Sequence, residues 1–163
     1  MNVYKVIRWL ILALSLSSCS TISGMTSGGG EPGLMLVPVN HTDRYAPSIV
    51  VEDAWAGNVR AHGGGGSAAC CIAGRKDWSK PALVRWEWGY QRDPVTKEIV
   101  LPDEAHSELV SFPRAPHRIT KTPQESWTRE DYLADEGYLC VIFRTLDRVE
   151  FAFSSRPSEC PKK

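Results

Sequence analysis

Charge of one sign is missing from this sequence: 19 Lys and Arg balance 19 Asp and Glu. A nucleic-acid surface is basic, so no nucleic acid is expected among the partners. Charge runs and acidic tails are missing too. The apolar run Trp9-Leu10-Ile11-Leu12-Ala13-Leu14-Ser15-Leu16 falls short of the roughly 20 residues that cross a bilayer as a helix. Neither C-x-x-C nor H-x-x-x-H occurs, so metal ligation has no supporting spacing. Gly74-Arg75-Lys76 lacks the spacing of a phosphate loop. G-x-S-x-G is absent as well, and with it the nucleophile elbow of the α/β-hydrolases.

What is present starts with Lys5 and Arg8 ahead of the apolar run. A basic start, a short apolar stretch and small residues before a cleavage point make a secretory signal. Leu16-Ser17-Ser18-Cys19 resembles the bacterial lipobox. That resemblance implies a diacylglycerol on the Cys19 sulfur, cleavage before Cys19 and acylation of the new amino group. Several chains anchor stably, since each buried methylene adds about 0.8 kcal/mol. Ser20, rather than Asp, follows the cysteine, and by resemblance to Gram-negative sorting signals this favours the outer membrane, facing the periplasm. The expected organisation is a signal peptide over 1–18, a lipidated Ser/Thr/Gly tether over 19–33, and a single β-rich periplasmic domain over 34–163.

Beyond Cys19 lie four cysteines, Cys70, Cys71, Cys140 and Cys160. An oxidising compartment makes disulfides the default. A Cys70–Cys71 bond is disfavoured by the short reach between consecutive Cα atoms. The two crossed pairings, which join Cys70 and Cys71 separately to Cys140 and Cys160, remain open.

Leu34–Asn40 reads as a strand, and Pro38 places it at an edge or a bulge. His41-Thr42-Asp43-Arg44 is turn material, and Ser48–Glu52 a second strand that forms a hairpin with the first. Four consecutive glycines, Gly63–Gly66, make a loop, followed by a short strand over Ala68–Ile72. Leu83–Tyr90 alternates Val84, Trp86, Trp88 and Tyr90 with Arg85, Glu87 and Gly89, a half-buried strand. Glu98–Leu101 and Glu108–Phe112 are further short strands. Gln124–Glu136 is the one helical candidate, with Thr122 as its cap, Pro123 first inside it and Gly137 ending it. Tyr138–Phe143 is apolar on both faces, hence central, and pairs across Thr145–Arg148 with Val149–Ser154. The pattern predicts a mainly β, antiparallel sandwich-like domain with at most one short helix.

His62-Gly63-Gly64-Gly65 matches the oxyanion loop of lipases in its letters. Ser67 has no elbow around it, and the alternating strand–helix pattern of that fold is missing. His41, His62, His106 and His117 are spread out. The acids Asp103, Glu104, Asp131, Asp135 and Glu136 lie in polar segments. No catalytic residue, no cofactor and no enzymatic activity are expected.

Val39-Asn40-His41-Thr42-Asp43-Arg44-Tyr45, the Gly63–Cys71 segment and Val84-Arg85-Trp86-Glu87 together resemble a domain-of-unknown-function family of small bacterial lipoproteins. Tyr45-Ala46-Pro47 departs from the unbroken strand expected there. Some members are encoded beside type VI secretion lipase effectors and look like their immunity proteins. The resemblance implies a cognate antibacterial lipase effector as partner, with the membrane engaged through the lipid on Cys19. The alternative is an envelope lipoprotein, structural or binding, with no toxin partner. Binding needs a face rather than an active site. Trp55, Trp78 and Trp127 are candidate partner-binding anchors, with core burial the competing assignment for each. Trp86 and Trp88 are assigned to the core.

Overall fold

Tyr138–Phe143 holds an unbroken apolar run because both of its faces are covered. The computed structural model describes residues 33–120 and 127–163, so the signal, Cys19 and the tether up to residue 32 lie outside the described residues. Strands β1 (Leu34–Asn40), β2 (Ala46–Val51), β3 (Ala54–Val59), β4 (Ala69–Ile72), β5 (Ala82–Trp88), β6 (Gln91–Arg92), β7 (Ile99–Leu101) and β8 (Glu104–Val110) precede a short helix α1 (Arg129–Ala134). Then come β9 (Tyr138–Thr145), β10 (Arg148–Ser154) and a closing 3-10 helix, Pro157–Lys162.

Two four-stranded sheets result, ordered β10-β9-β1-β4 and β3-β2-β5-β8, with β6 and β7 paired apart from both. Among the described residues every strand pairing is antiparallel except β1 with β9. The architecture is therefore the mainly β, sandwich-like one expected, with one parallel seam. Leu34, Leu36, Leu139, Val141 and Phe143 face Ile49, Val51, Val84, Trp86 and Trp88 in the shared core. Each such aliphatic side chain stabilises the fold by roughly 1.5–3 kcal/mol relative to exposure. Trp88 is fully buried, and its Nε1 donates to the Leu146 carbonyl at 2.8 Å, which ties the second sheet to the β9–β10 turn.

The other face of the first sheet carries Val37, Val39, Cys140 and Ile142, packed with Cys160. The closing 3-10 helix covers this face and is held there by the Cys140–Cys160 disulfide, whose Cα atoms are 5.4 Å apart. A bridge across a loop of this length contributes about 3 kcal/mol. Cys70 and Cys71 are joined to each other. This corrects the expectation of crossed pairings. β4 is separated from β9 by β1, roughly 9.5 Å away, whereas a bridge closes over about 4.4–6.8 Å between Cα atoms.

Three other expectations change. β1 and β2 do not form a hairpin, because the Asn40–Tyr45 loop carries the chain from one sheet to the other. Of the two alternatives for Pro38 the edge falls away, since β1 lies between β9 and β4, while the strand does carry an irregularity, placed between Leu34 and Leu36 against β4 and not at Pro38 itself. The N and O of one strand residue point the same way, and the Pro38 carbonyl accepts from Gly65 N at 3.2 Å. The missing N–H therefore faces the glycine loop, and the β9 ladder loses no donor. Gly64 sits there at φ +119°, with the Pro38 carbonyl oxygen occupying the place a Cβ would need, so no side chain fits. Third, α1 is shorter than the helix expected and is capped by Thr128. Its Oγ1 accepts from Asp131 N at 3.2 Å while Asp131 Oδ2 accepts from Thr128 N at 2.8 Å, a reciprocal cap. Thr122 and Pro123 lie outside the described residues.

Candidate binding surface

The segment Asn40-His41-Thr42-Asp43-Arg44 is turn material by composition, yet Asn40, Thr42 and Arg44 are buried. Asn40 Oδ1 accepts from both Thr42 N and Thr42 Oγ1 at 2.8 Å, the side chain standing in for a backbone turn. Asn40 Nδ2 donates to the carbonyls of Arg44 at 2.6 Å and Arg60 at 3.2 Å. The loop is thereby closed on itself and on the end of β3.

Arg44 points out of this loop into the root of the β6–β7 hairpin. Its Nη2 donates to the carbonyls of Gly89 at 3.0 Å and Pro102 at 2.7 Å, one on each side of that root. Its Nη1 meets Glu104 Oε2 at 3.0 Å. Glu104 Oε1 in turn lies 3.1 Å from His106 Nε2, and the His106 ring stacks on Trp86. A planar guanidinium spreads these bonds over two nitrogens in a fixed fork, which the single nitrogen of an ammonium does not. Gly89 N donates to the Tyr45 carbonyl, Tyr90 N to Asp103 Oδ1, and Gln91 Nε2 to the Asp43 carbonyl. The root is therefore fixed from both strands.

The tip is fixed too. Asp93 Oδ1 accepts from Val95 N at 2.8 Å and Thr96 N at 2.7 Å, and these bonds, Thr96's first, hold the Asp93 carboxyl below its ordinary pKa. Between root and tip the apolar side chains face water. Val95 is 84% exposed, Ile99 57%, Val100 56%, Tyr90 52% and Leu101 39%. Gln91 pairs with Leu101 and Arg92 with Ile99, so Val100 is the extra residue of a bulge. The Arg92 guanidinium lies 5.2 Å over the Tyr90 ring.

The candidate tryptophans are not brought together. Trp55, on edge strand β3, is 56% exposed and lines an open cleft of about 530 Å³ with Asp53, Cys70, Cys71 and Arg75. Trp78 is partly buried against Phe112 and Phe153, edge-on at 5.0 and 5.8 Å. Trp127 packs on Tyr132 of α1 at 5.0 Å. Trp86 and Trp88 are in the core.

In the glycine loop, His62 N donates to the Thr42 carbonyl, Gly63 N to Arg60 and Gly65 N to Pro38. These N–H groups hold the fold together and are not aimed at a substrate oxygen. His62 and Ser67 are both exposed. Among the described residues no group of three or more His, Cys, Asp or Glu is placed to hold a metal ion.

Composition pointed to Trp55 but not to the hairpin. The available signal was Ile99-Val100-Leu101 itself. Three consecutive apolar residues beside a Pro94–Lys97 turn put apolar groups on both faces of a strand too short to be covered.

A family model described as "Protein of unknown function (DUF3304)" matches residues 39–150, from the last two residues of β1 into β10. No curated protein and no solved structure matches the chain.

Proposed function

The chain belongs to this family of unknown function, and we propose that it is a membrane-anchored periplasmic lipoprotein that neutralises a type VI secretion phospholipase effector by binding it. The lipid on Cys19 places it at the outer membrane, where such an enzyme acts, and confinement to that surface raises its effective concentration. The observation that carries the reading is the use made of the motif residues. Asn40, Thr42 and Arg44 are buried: Asn40 and Thr42 close the loop that carries Arg44, and Arg44 holds the root of an exposed apolar hairpin. Residues that present a surface suit recognition. The glycine loop favours the same side, because the N–H groups of His62, Gly63 and Gly65 are engaged by backbone carbonyls. Of the three tryptophan candidates, Trp55 is the one open enough to serve as an additional anchor.

The test is co-expression with the periplasmically directed lipase effector encoded beside the gene. Growth rescued equally by the wild-type chain and by a Ser67→Ala, His62→Ala double variant supports protection by binding. Absence of rescue, together with no complex between the purified proteins, defeats the immunity reading and leaves an envelope lipoprotein without a toxin partner.

A further inference from the structure

We infer that the Cys70–Cys71 disulfide is a redox site: it accepts two electrons from a dithiol while the domain around it stays folded. This site is independent of the binding function proposed above.

Strand register places the two cysteines where a bond between neighbours can form. Leu34 of β1 faces Ile72 of β4, and Leu36 faces Ala69. Met35 alone therefore stands opposite both Cys70 and Cys71, a β-bulge with two residues against one. In a regular strand neighbouring side chains point to opposite faces, which keeps adjacent sulfurs apart. The extra residue breaks that alternation. Met35 Sδ lies 3.6 Å from Cys71 Sγ, so the single facing side chain packs on the bonded pair.

The bond does little for the fold. A disulfide stabilises mainly by closing a loop in the unfolded chain, and more for longer loops. Cys140 and Cys160 are 20 residues apart, whereas Cys70 and Cys71 are adjacent and their bond closes no loop. Consecutive Cα atoms are also at most about 3.8 Å apart. That is below the usual disulfide range of about 4.4–6.8 Å, and a bond outside this range is more easily reduced.

Access separates the two bonds as well. Cys140 and Cys160 are fully buried in the cluster with Val37, Val39 and Ile142. Cys70 is exposed and Cys71 half-buried, on the edge strand of its sheet, and both line the open cleft with Trp55. A thiolate must reach a sulfur to exchange with it, so exposure decides which bond reacts. The chain on either side of β4 is held without this bond. Gly64 bridges to Val39 ahead of it, and Arg75 pairs with Glu52 at 3.0 Å after it. Opening the bond therefore leaves the strand in place.

A donor thiolate attacks the exposed Cys70 Sγ. The Cys70–Cys71 bond breaks, Cys71 leaves as a thiolate and takes a proton, and Cys70 is left in a mixed disulfide with the donor. Against a monothiol, Cys71 reverses this step, because one residue away its effective concentration is high. A dithiol carries it forward. Its second thiolate attacks its own sulfur in the mixed disulfide, and Cys70 leaves as a thiolate and takes a proton. The donor ends as a disulfide and the chain as two thiols, two electrons richer.

The experiment treats the full-length chain, in mild detergent, with dithiothreitol or with reduced thioredoxin. N-ethylmaleimide stops the reaction, and mass spectrometry maps the alkylated cysteines. Cys70 and Cys71 should be labelled together, roughly a hundredfold or more faster than Cys140 and Cys160. Labelling with both donors means that a protein dithiol reaches the site; labelling with dithiothreitol alone assigns it to small dithiols. Amide exchange should rise at Met35 and Ala69–Ile72 with β9 unchanged, and oxidised glutathione should restore the bond once the donor is removed. A Cys70→Ser, Cys71→Ser variant should lose the fast phase and melt within about 3 °C of the oxidised wild type. Labelling of Cys70 and Cys71 no faster than that of Cys140 and Cys160, or only once the domain unfolds, overturns the redox site. A large fall in the melting temperature of the double serine variant also overturns it, because the bond is then structural. So does labelling of Cys70 and Cys71 in the untreated chain that oxidised glutathione does not abolish, since the pair then forms no disulfide.

Discussion

In the loop from Asn40 to Tyr45 the polar side chains are inside: Asn40, Thr42 and Arg44 are buried among carbonyls. In the hairpin from Tyr90 to Leu101 the apolar side chains are outside, with Val95, Ile99 and Val100 in water. Each inverts the ordinary partition, and the two are in contact through Arg44. Burying polar groups stabilises a fold only when their hydrogen bonds are made; here Asn40 and Thr42 make theirs within the loop and to Arg60, and Arg44 makes its own to the residues flanking the other segment. Exposed apolar groups are normal singly, but a cluster on one protruding element marks an interaction site. The comparison teaches that the interior inversion exists to support the exterior one. The family match starts at Val39 and runs through both segments.

The largest expected effect comes from cutting the link between them. In Arg44→Leu the Gly89 and Pro102 carbonyls lose their shared donor and Glu104 its partner. The cost is about 3 kcal/mol, measured by denaturant unfolding of the wild type and variant. Because the lost bonds are at the hairpin root, amide exchange should rise at Gln91, Arg92 and Ile99–Leu101 well before it rises in β9. A loss below about 0.5 kcal/mol, within the range of surface changes, breaks the comparison, because Arg44 is then no mount.

How much of this was legible varies with the range of the forces involved. β5, β9 and β10 were readable because their apolar periods, from Val84 to Trp88 and Tyr138 to Phe153, are local records of which faces are covered. The covering of both faces of β9 was also readable, though what covers the outer face was not. That is the 3-10 tail, carried there by Cys160. The pairing of the cysteines was misread because it depends on sheet order, which sets Cys70 and Cys71 two strands away from Cys140. Asn40–Arg44 has turn composition, and it does make a turn. The burial of Arg44 depends on Gly89, Pro102 and Glu104, which lie 45 to 60 residues away. The sequence-chosen anchors fared according to neighbours in the same way: Trp78 found Phe112 and Phe153, while Trp55 found an open cleft.

A smaller effect sharpens the exposed side of the comparison. The Asp93 carboxylate accepts the Val95 and Thr96 N–H groups, and these bonds hold its pKa below the ordinary 3.8. A carboxylate depressed on folding contributes order that is fully present above its unfolded value. That order is lost as the pH falls through the lower folded value. The amide resonances of Val95 and Thr96 should therefore stay constant from neutral pH down to about 4 and shift together below 3.8. Asp93→Ala should remove that transition and loosen the tip at neutral pH, leaving the root unchanged. A midpoint at or above 3.8 means that the tip is not held by this carboxylate in solution.

The smallest expected effect on stability is the one that decides what the hairpin is for. Ile99, Val100 and Val95 are absent from the hydrophobic core, which is built from the two large sheets. Removing apolar area that is already in water returns nothing to the unfolded state. Changing Ile99 or Val95 to Ser should therefore move unfolding free energy by no more than about 0.5 kcal/mol. The same change inside β9, such as Val141→Ser, loses a fully buried side chain and leaves a hydroxyl among Leu36, Phe143 and their neighbours. It should cost about 2 kcal/mol or more. The two measurements must be read together. If Ile99→Ser destabilises the domain as Val141→Ser does, the hairpin is packed in solution, and its apolar residues are accounted for by the fold. If Ile99→Ser leaves stability alone while weakening protection, those residues are kept in water for a partner, and the buried arginine behind them is the means by which they are held in place.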